Sequence, residues 1–214
     1  MTTPDDEPVT ERFPPTSGRI IGWLGVVTTA VIFVAAVVAW SPDTALGVAL
    51  LAALGGVLSW ASLLRPAVWA TGDELVLRGM FQTDRIPLAA VDRVVITQVL
   101  AVWAGDKRYV SPAIGHSARD VIYARRRPGG LEQQGMDELQ AQASAISAGA
   151  RGAYQAHVEE RIRHLADEAR TRAGVRRGSP EQEALASGVR RTWAWPELVG
   201  SVVLVLAFVV WLAL

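Results

Sequence analysis

The sequence predicts a membrane α+β protein in which a transmembrane helical hairpin, a small antiparallel β domain, cytoplasmic helices and a C-terminal transmembrane helix follow one another. Three observations predict it. Half of the 214 residues are hydrophobic and only 20% are charged, more apolar material than one small globular core needs. That material is gathered into three runs without a charged side chain, Ile20 to Trp40, Thr44 to Leu64 and Leu198 to Leu214. Between the second and third run, β-prone segments give way to a segment with helical spacing.

Residues 1–19 read as a disordered acidic tail carrying Asp5, Asp6, Glu7 and Glu11. Residues 20–64 follow as the hairpin. At a rise of about 1.5 Å per residue, the first two runs match a hydrocarbon layer roughly 30 Å thick, and the third just reaches across it. Backbone groups in lipid are satisfied only within the segment, so each run is helical. Val37 and Ala39 imitate a signal-peptide cleavage site, but the long acidic leader and a second span after only Ser41, Pro42 and Asp43 favour a retained hairpin. Pro42 and Asp43 make the turn, and Ser41 or Asp43 caps the second helix. Small residues at helical spacing (Gly18 with Gly22, then Ala45, Ala49 and Ala53, and Gly55 with Ser59) let the two helices approach closely.

Charge at the span ends sets the orientation. Arg12 and Arg19 precede the first span, Asp43 alone marks the hairpin tip, Arg65 follows the second span, and Arg190 and Arg191 precede the third. By the positive-inside rule the N-terminus and residues 65–192 lie in the cytoplasm, with the C-terminus outside, in a multi-pass protein of the plasma (inner) membrane. Trp23, Trp40, Trp60, Trp193, Trp195 and Trp211 lie at or near span ends, the level an amphipathic indole prefers. The spans contain no acidic, basic or His residue, which disfavours transport.

Residues 65–124 read as the β domain. Ala67 to Thr71 and Glu74 to Arg78 are short strands around a Gly72-Asp73 turn, and Phe81 to Ile86 is a third. Leu88 to Arg93 holds one helical turn, Val94 to Trp103 a long Val-rich strand, and Gly105-Asp106 turns it into Arg108 to Ser111. Trp69, Val76, Phe81, Ile86, Val95, Val99 and Trp103 are the expected core.

The runs Gly72-Asp73-Glu74-Leu75-Val76-Leu77-Arg78-Gly79, Asp84-Arg85-Ile86-Pro87-Leu88-Ala89-Ala90-Val91 and Gly105-Asp106-Lys107-Arg108-Tyr109-Val110 resemble the bacterial membrane-anchored PH-like domains common in actinobacteria. The Arg85-Ile86-Pro87-Leu88 step is the most recognisable element, and the likeness covers about residues 20 to 125. It implies a PH-like fold and a non-enzymatic scaffold or binding role, with an unidentified protein partner. It reaches neither the later helical segment nor the third span. Asp73 and Glu74 occupy the first hairpin turn, where a phosphoinositide-binding PH domain carries Lys and Arg, so specific phosphoinositide recognition is not expected.

Arg65, Arg125, Arg126, Arg127, Arg190 and Arg191 are instead the candidates for loose contact with anionic lipid, Arg176 and Arg177 adding to them, each worth about 1 kcal/mol near a charged surface. The competing reading is that they are topology signals and solvated charges. Residues 125–137 form a linker, since Pro128, Gly129 and Gly130 sustain neither helix nor strand. Residues 138–192 are helical, rich in Ala, Gln, Glu and Arg, with Gly149 and Gly152 expected to weaken or split the first helix. Val158, Ile162 and Leu165 share a face that packs on the β domain or a neighbouring helix, or docks a partner chain; binding to the membrane surface ranks lowest, since the face carries no Trp or Phe to insert. Ser179-Pro180-Glu181-Gln182 opens a last short helix toward Arg191, and residues 193–214 are the third span.

Little in the chain supports enzyme chemistry, and no catalytic, cofactor-binding or metal residue is assigned. There is no cysteine, hence neither disulfide nor thiolate chemistry. His157 and His164 lie two helical turns apart with Glu160 between them, too distant to share a metal without other ligands. His116 near Ser111, Ser117 and Asp120 lacks a nucleophile elbow, and phosphate-binding glycine loops are missing. With 21 basic and 21 acidic residues the chain is neutral, which disfavours nucleic acid as a partner. The lipid bilayer is the partner the sequence names; a homo-oligomer stays open, as does a role as accessory subunit of a larger membrane complex joined through the spans.

Overall fold

A computed structural model of the chain describes residues 11–15, 19–39, 44–115 and 136–213, with backbone alone for 136–148 and 151. It is an α+β structure with two antiparallel sheets. In chain order the elements are β1 (Glu11–Phe13), α1 (Arg19–Val38), α2 (Ala45–Ser59), β2 (Ala67–Ala70), β3 (Glu74–Arg78), β4 (Gln82–Pro87), β5 (Val91–Ile96), β6 (Leu100–Ala104), β7 (Lys107–Ser111), α3 (Met136–Ala173), α4 (Pro180–Ala186), β8 (Arg190–Trp193) and α5 (Trp195–Ala213). A π-helical turn, Trp60–Leu64, extends α2, and a 3₁₀ turn, Leu88–Ala90, joins the sheets.

Arg19–Val38, Ala45–Leu64 and Trp195–Ala213 are long and apolar enough to cross a membrane. Their exposed faces (Ile20, Leu24, Val31, Val38, Leu206 and Leu212 among them) form contiguous apolar surface that a water-soluble monomer rarely carries. The helices touch through small residues. A Cβ on Gly22 would stand 2.8 Å from Leu63 Cβ, and one on Gly47 would stand 2.3 Å from the Trp211 ring, so glycine at these two positions sets how closely α1 and α5 approach α2. Of the expected small positions, Ala45 and Ala49 are buried, joined by Ala52 rather than Ala53. The hairpin tip, with Ser41, Pro42 and Asp43, lies outside the described residues.

The larger sheet has the order β1-β2-β3-β4-β8 and the smaller β5-β6-β7. Its outermost strands come from unexpected places. Residues 11–13, expected within a disordered tail, pair with β2 (Phe13 opposite Val68), and Phe13 is buried. Arg190–Trp193, expected at the end of the helical segment and the start of the third span, pairs with β4, since α4 stops at Ala186. Both segments satisfy their backbone by adding an edge strand.

The expected Val94-to-Trp103 strand is two strands that reverse at Thr97-Gln98-Val99, where the Thr97 amide donates to the Val99 carbonyl at 3.2 Å. The alternation therefore runs one residue away from the expected one. Val94 and Val102 are fully buried with Leu75, Leu77 and Ile86, whereas Val95, Val99, Trp69, Phe81 and Trp103 are only partly buried. Val76 is buried too, but on the opposite face of its sheet from Leu75 and Leu77.

α3 is one continuous helix despite Gly149 and Gly152, at each of which a Cβ would meet open space. Val158, Ile162, Leu165, Ala166 and Ala169 enter the common core. Its polar side chains close the free edge of β5. The Ile96 amide donates to Glu159 (3.1 Å), while Arg163 donates to the Val94 carbonyl (3.3 Å) and Arg170 to that of Val91 (2.5 Å). Gln182 of α4 also donates to Val91 (3.2 Å), and Arg177 to Asp92 (2.8 Å). A sheet edge open to other chains is thus covered from within. Ser179 caps α4 as expected, its hydroxyl accepting from the Gln182 amide (3.3 Å), and Gln182 in turn accepts from the Gly178 amide (2.7 Å).

Candidate interaction surfaces

The three long apolar helices, α1, α2 with its π turn, and α5, join the same end of the larger sheet. β1 ends at Phe13, six residues before α1 starts; β2 begins three residues after the π turn; β8 passes through Ala194 into α5. The pairings Phe13↔Val68, Ala67↔Arg78, Arg78↔Thr83 and Gln82↔Trp193 place those strand ends side by side, with the Gly79-Met80-Phe81 turn between them.

Arg65 locks this junction. Its side chain, 7% exposed, pairs with Glu197 in the first turn of α5 (Nε to Oε1, 3.1 Å), and its Nη1 donates to the carbonyls of Gly79 (3.1 Å) and Met80. The Ala194 amide adds a bond to the Phe81 carbonyl at 2.8 Å. Burial pulls the Arg65 guanidinium below its ordinary value, Glu197 raises it and Arg78 lowers it further; an arginine keeps its proton throughout. Arg65, expected to face anionic lipid, is therefore committed inside the protein.

Two of the other expected lipid contacts, Arg190 and Arg191, are engaged as well. Arg191 Nε donates to Asp84 at 2.6 Å, and Asp84 is buried. Tyr109 lies by the same pair; burial raises its pKa, Asp84 raises it further and Arg191 opposes. Arg190 pairs with Glu74 at 2.5 Å, with Arg85 3.8 Å from the same carboxylate. Arg125, Arg126 and Arg127 lie outside the described residues. The expected docking face, Val158, Ile162 and Leu165, is 0%, 0% and 6% exposed, so its apolar area is used within the chain and offers nothing to a partner.

A surface the sequence reading missed lies on the outer face of the smaller sheet. The register sets Arg93 opposite Trp103 and Trp103 opposite Arg108, one row across three strands. The Arg93 guanidinium stands 4.3 Å from the centre of the Trp103 ring and that of Arg108 5.3 Å, both in cation–π range. Both arginines are exposed, and among the described residues neither meets a carboxylate. Val95 and Val110 stand in the next row, Val110 at 44% exposed. Two uncommitted guanidinium forks around a flat ring can take carboxylates or other anions beside an apolar contact. The signal was present as Arg93, Trp103 and Arg108, but it needs the correct register to become a row.

Among the described residues no group of three or more His, Asp and Glu comes together as a metal site. His164 stands 3.2 Å from Glu168 on the exposed side of α3, and His116 lies outside the described residues. Comparison of the chain with known protein families, curated proteins and solved structures finds no match.

Proposed function

We propose that the chain is a membrane-anchored scaffold or adaptor of the plasma (inner) membrane, holding a PH-like β domain on the cytoplasmic side for a protein partner. The observation that carries this reading is the direct fusion of three long apolar helices to one end of one sheet. Such a join presents the domain at a fixed height and angle, which suits display better than turnover. The side follows from charge: Arg12, Arg19, Arg65, Arg78, Arg190 and Arg191 all belong to strands or helix ends at that junction, which favours the cytoplasm for it and puts the hairpin tip and C-terminus outside. Two antiparallel sheets closed by a helix support the PH-like likeness.

The face around Trp103 suits an acidic protein segment, whose carboxylates match Arg93 and Arg108. Crosslinking and mass spectrometry on native membranes test it with the Arg93→Glu, Arg108→Glu double variant: loss of the wild-type partners supports the adaptor reading. A second reading has an observation of its own, since no residue of α5 is buried within the chain. That helix would then bind other transmembrane helices as part of a larger complex, and partners retained by the double variant but lost on altering α5 favour that reading.

A further inference from the structure

A groove of about 670 Å³ opens between the start of α1 and the π turn, lined by Arg19, Ile20, Trp23, Val26, Trp60 and Leu64. Its shape has a local cause. The Arg65 amide reaches back five residues to the Trp60 carbonyl (3.0 Å), so the helix is overwide at this turn, a distortion often found at functional sites. Gly22 meanwhile brings α1 against Leu63 and Leu64, closing one wall. Trp23 and Trp60 stay 61% and 41% exposed rather than packing together. Arg19 is the one charged side chain of the lining and stands at the end nearest the sheet with Ile20 and Leu64, while Trp23, Trp60 and Val26 lie farther along the two helices. Arg19 is exposed, and among the described residues no carboxylate pairs with it, unlike Arg65, Arg190 and Arg191.

We infer that this groove is a binding site for a single anionic phospholipid of the leaflet facing the sheet. Arg19 holds the headgroup phosphate, Ile20 and Leu64 stand beside it at the same end, and an acyl chain runs on past Trp23, Trp60 and Val26. The inference rests on the membrane reading above. A single positive charge at one end of an otherwise uncharged groove selects this occupant: a zwitterionic lipid fills the apolar part equally well but gains less at Arg19, and a peptide would have to bury backbone groups among side chains that offer them no partner. It separates this site from the six arginines the sequence offered for loose lipid contact, three of which are committed to carboxylates.

The test uses full-length protein in phosphatidylcholine vesicles containing brominated phosphatidylglycerol or, at equal mole fraction, brominated phosphatidylcholine. Quenching of Trp23 and Trp60 is read as the difference between wild type and the Trp23→Phe, Trp60→Phe variant. The expected result is a roughly fivefold preference for the anionic quencher, about 1 kcal/mol, lost in Arg19→Gln, kept in Arg19→Lys and kept in Arg190→Gln. Equal quenching by the two lipids, or a preference that survives Arg19→Gln, overturns the site while leaving the spans in place. No quenching by either lipid overturns the membrane reading and the site with it.

Discussion

The two sheets carry the same residue in opposite employment. On the larger sheet and its junction three arginines are bound to carboxylates: Arg65 to Glu197, Arg191 to Asp84, Arg190 to Glu74. On the smaller sheet Arg93 and Arg108 meet no carboxylate among the described residues and lean on Trp103. The first set ties the junction to α5 and ties β8, the strand that leads into α5, to β4 and β3, so its charge is spent on architecture. The second is free to meet something outside the chain. A count of basic residues near a membrane cannot tell these uses apart; the burial of the partner carboxylate does, because a buried acid must be paired.

Substitutions should separate the two sets, the largest effects falling on the larger sheet. Arg65→Ala leaves Glu197 unpaired at the junction, and Arg191→Ala does the same to buried Asp84; each should cost about 3–5 kcal/mol, read as a lowered unfolding midpoint in detergent. Ile162→Ala, in the core between α3 and the sheets, should cost about 2–5 kcal/mol by the same measurement and leave partner binding per folded molecule unchanged. Arg93→Glu with Arg108→Glu should change stability by less than about 0.5 kcal/mol per site yet remove the crosslinked partner, the reverse of the Ile162 outcome.

The smallest effect concerns alkaline pH. Tyr109 and Tyr154 both titrate above their ordinary value of 10.0, chiefly through burial, with Asp84 and Glu11 respectively adding to the rise. A raised tyrosine value means that the folded state prefers the neutral phenol. Stability is therefore complete below pH 10.0 and falls as pH climbs toward the folded-state values, where the unfolded chain ionises first. Phenolate absorbance should show two of the three tyrosines ionising late, together with loss of the fold.

The parts of this fold written locally could be read from the chain. The three apolar helices follow from length and lack of charge, and Gly72-Asp73 and Arg85-Ile86-Pro87-Leu88 marked β2, β3, β4 and the turn between sheets. Parts that depend on distant partners could not. Glu11-Arg12-Phe13 is a strand only because β2, beyond the hairpin, offers its edge, and Arg190–Trp193 only because β4 does. The reversal at Thr97-Gln98-Val99 uses no glycine, proline, asparagine or aspartate, so the Val-rich run looked unbroken. That one missed turn shifted the inward positions by a residue and hid Trp103 in an imagined core. The basic residues of the junction were visible, but their carboxylates come from elements far along the chain.

The placement of the sheets on the inner side of the membrane can be tested directly, because the chain contains no cysteine and accepts a single reporter. Asp43→Cys at the hairpin tip and Asp106→Cys in the exposed β6–β7 turn would be treated in intact cells with a membrane-impermeant maleimide. The account predicts labelling of the Asp43 variant from outside and of the Asp106 variant only after the membrane is permeabilised. Labelling of the Asp106 variant in intact cells would contradict it.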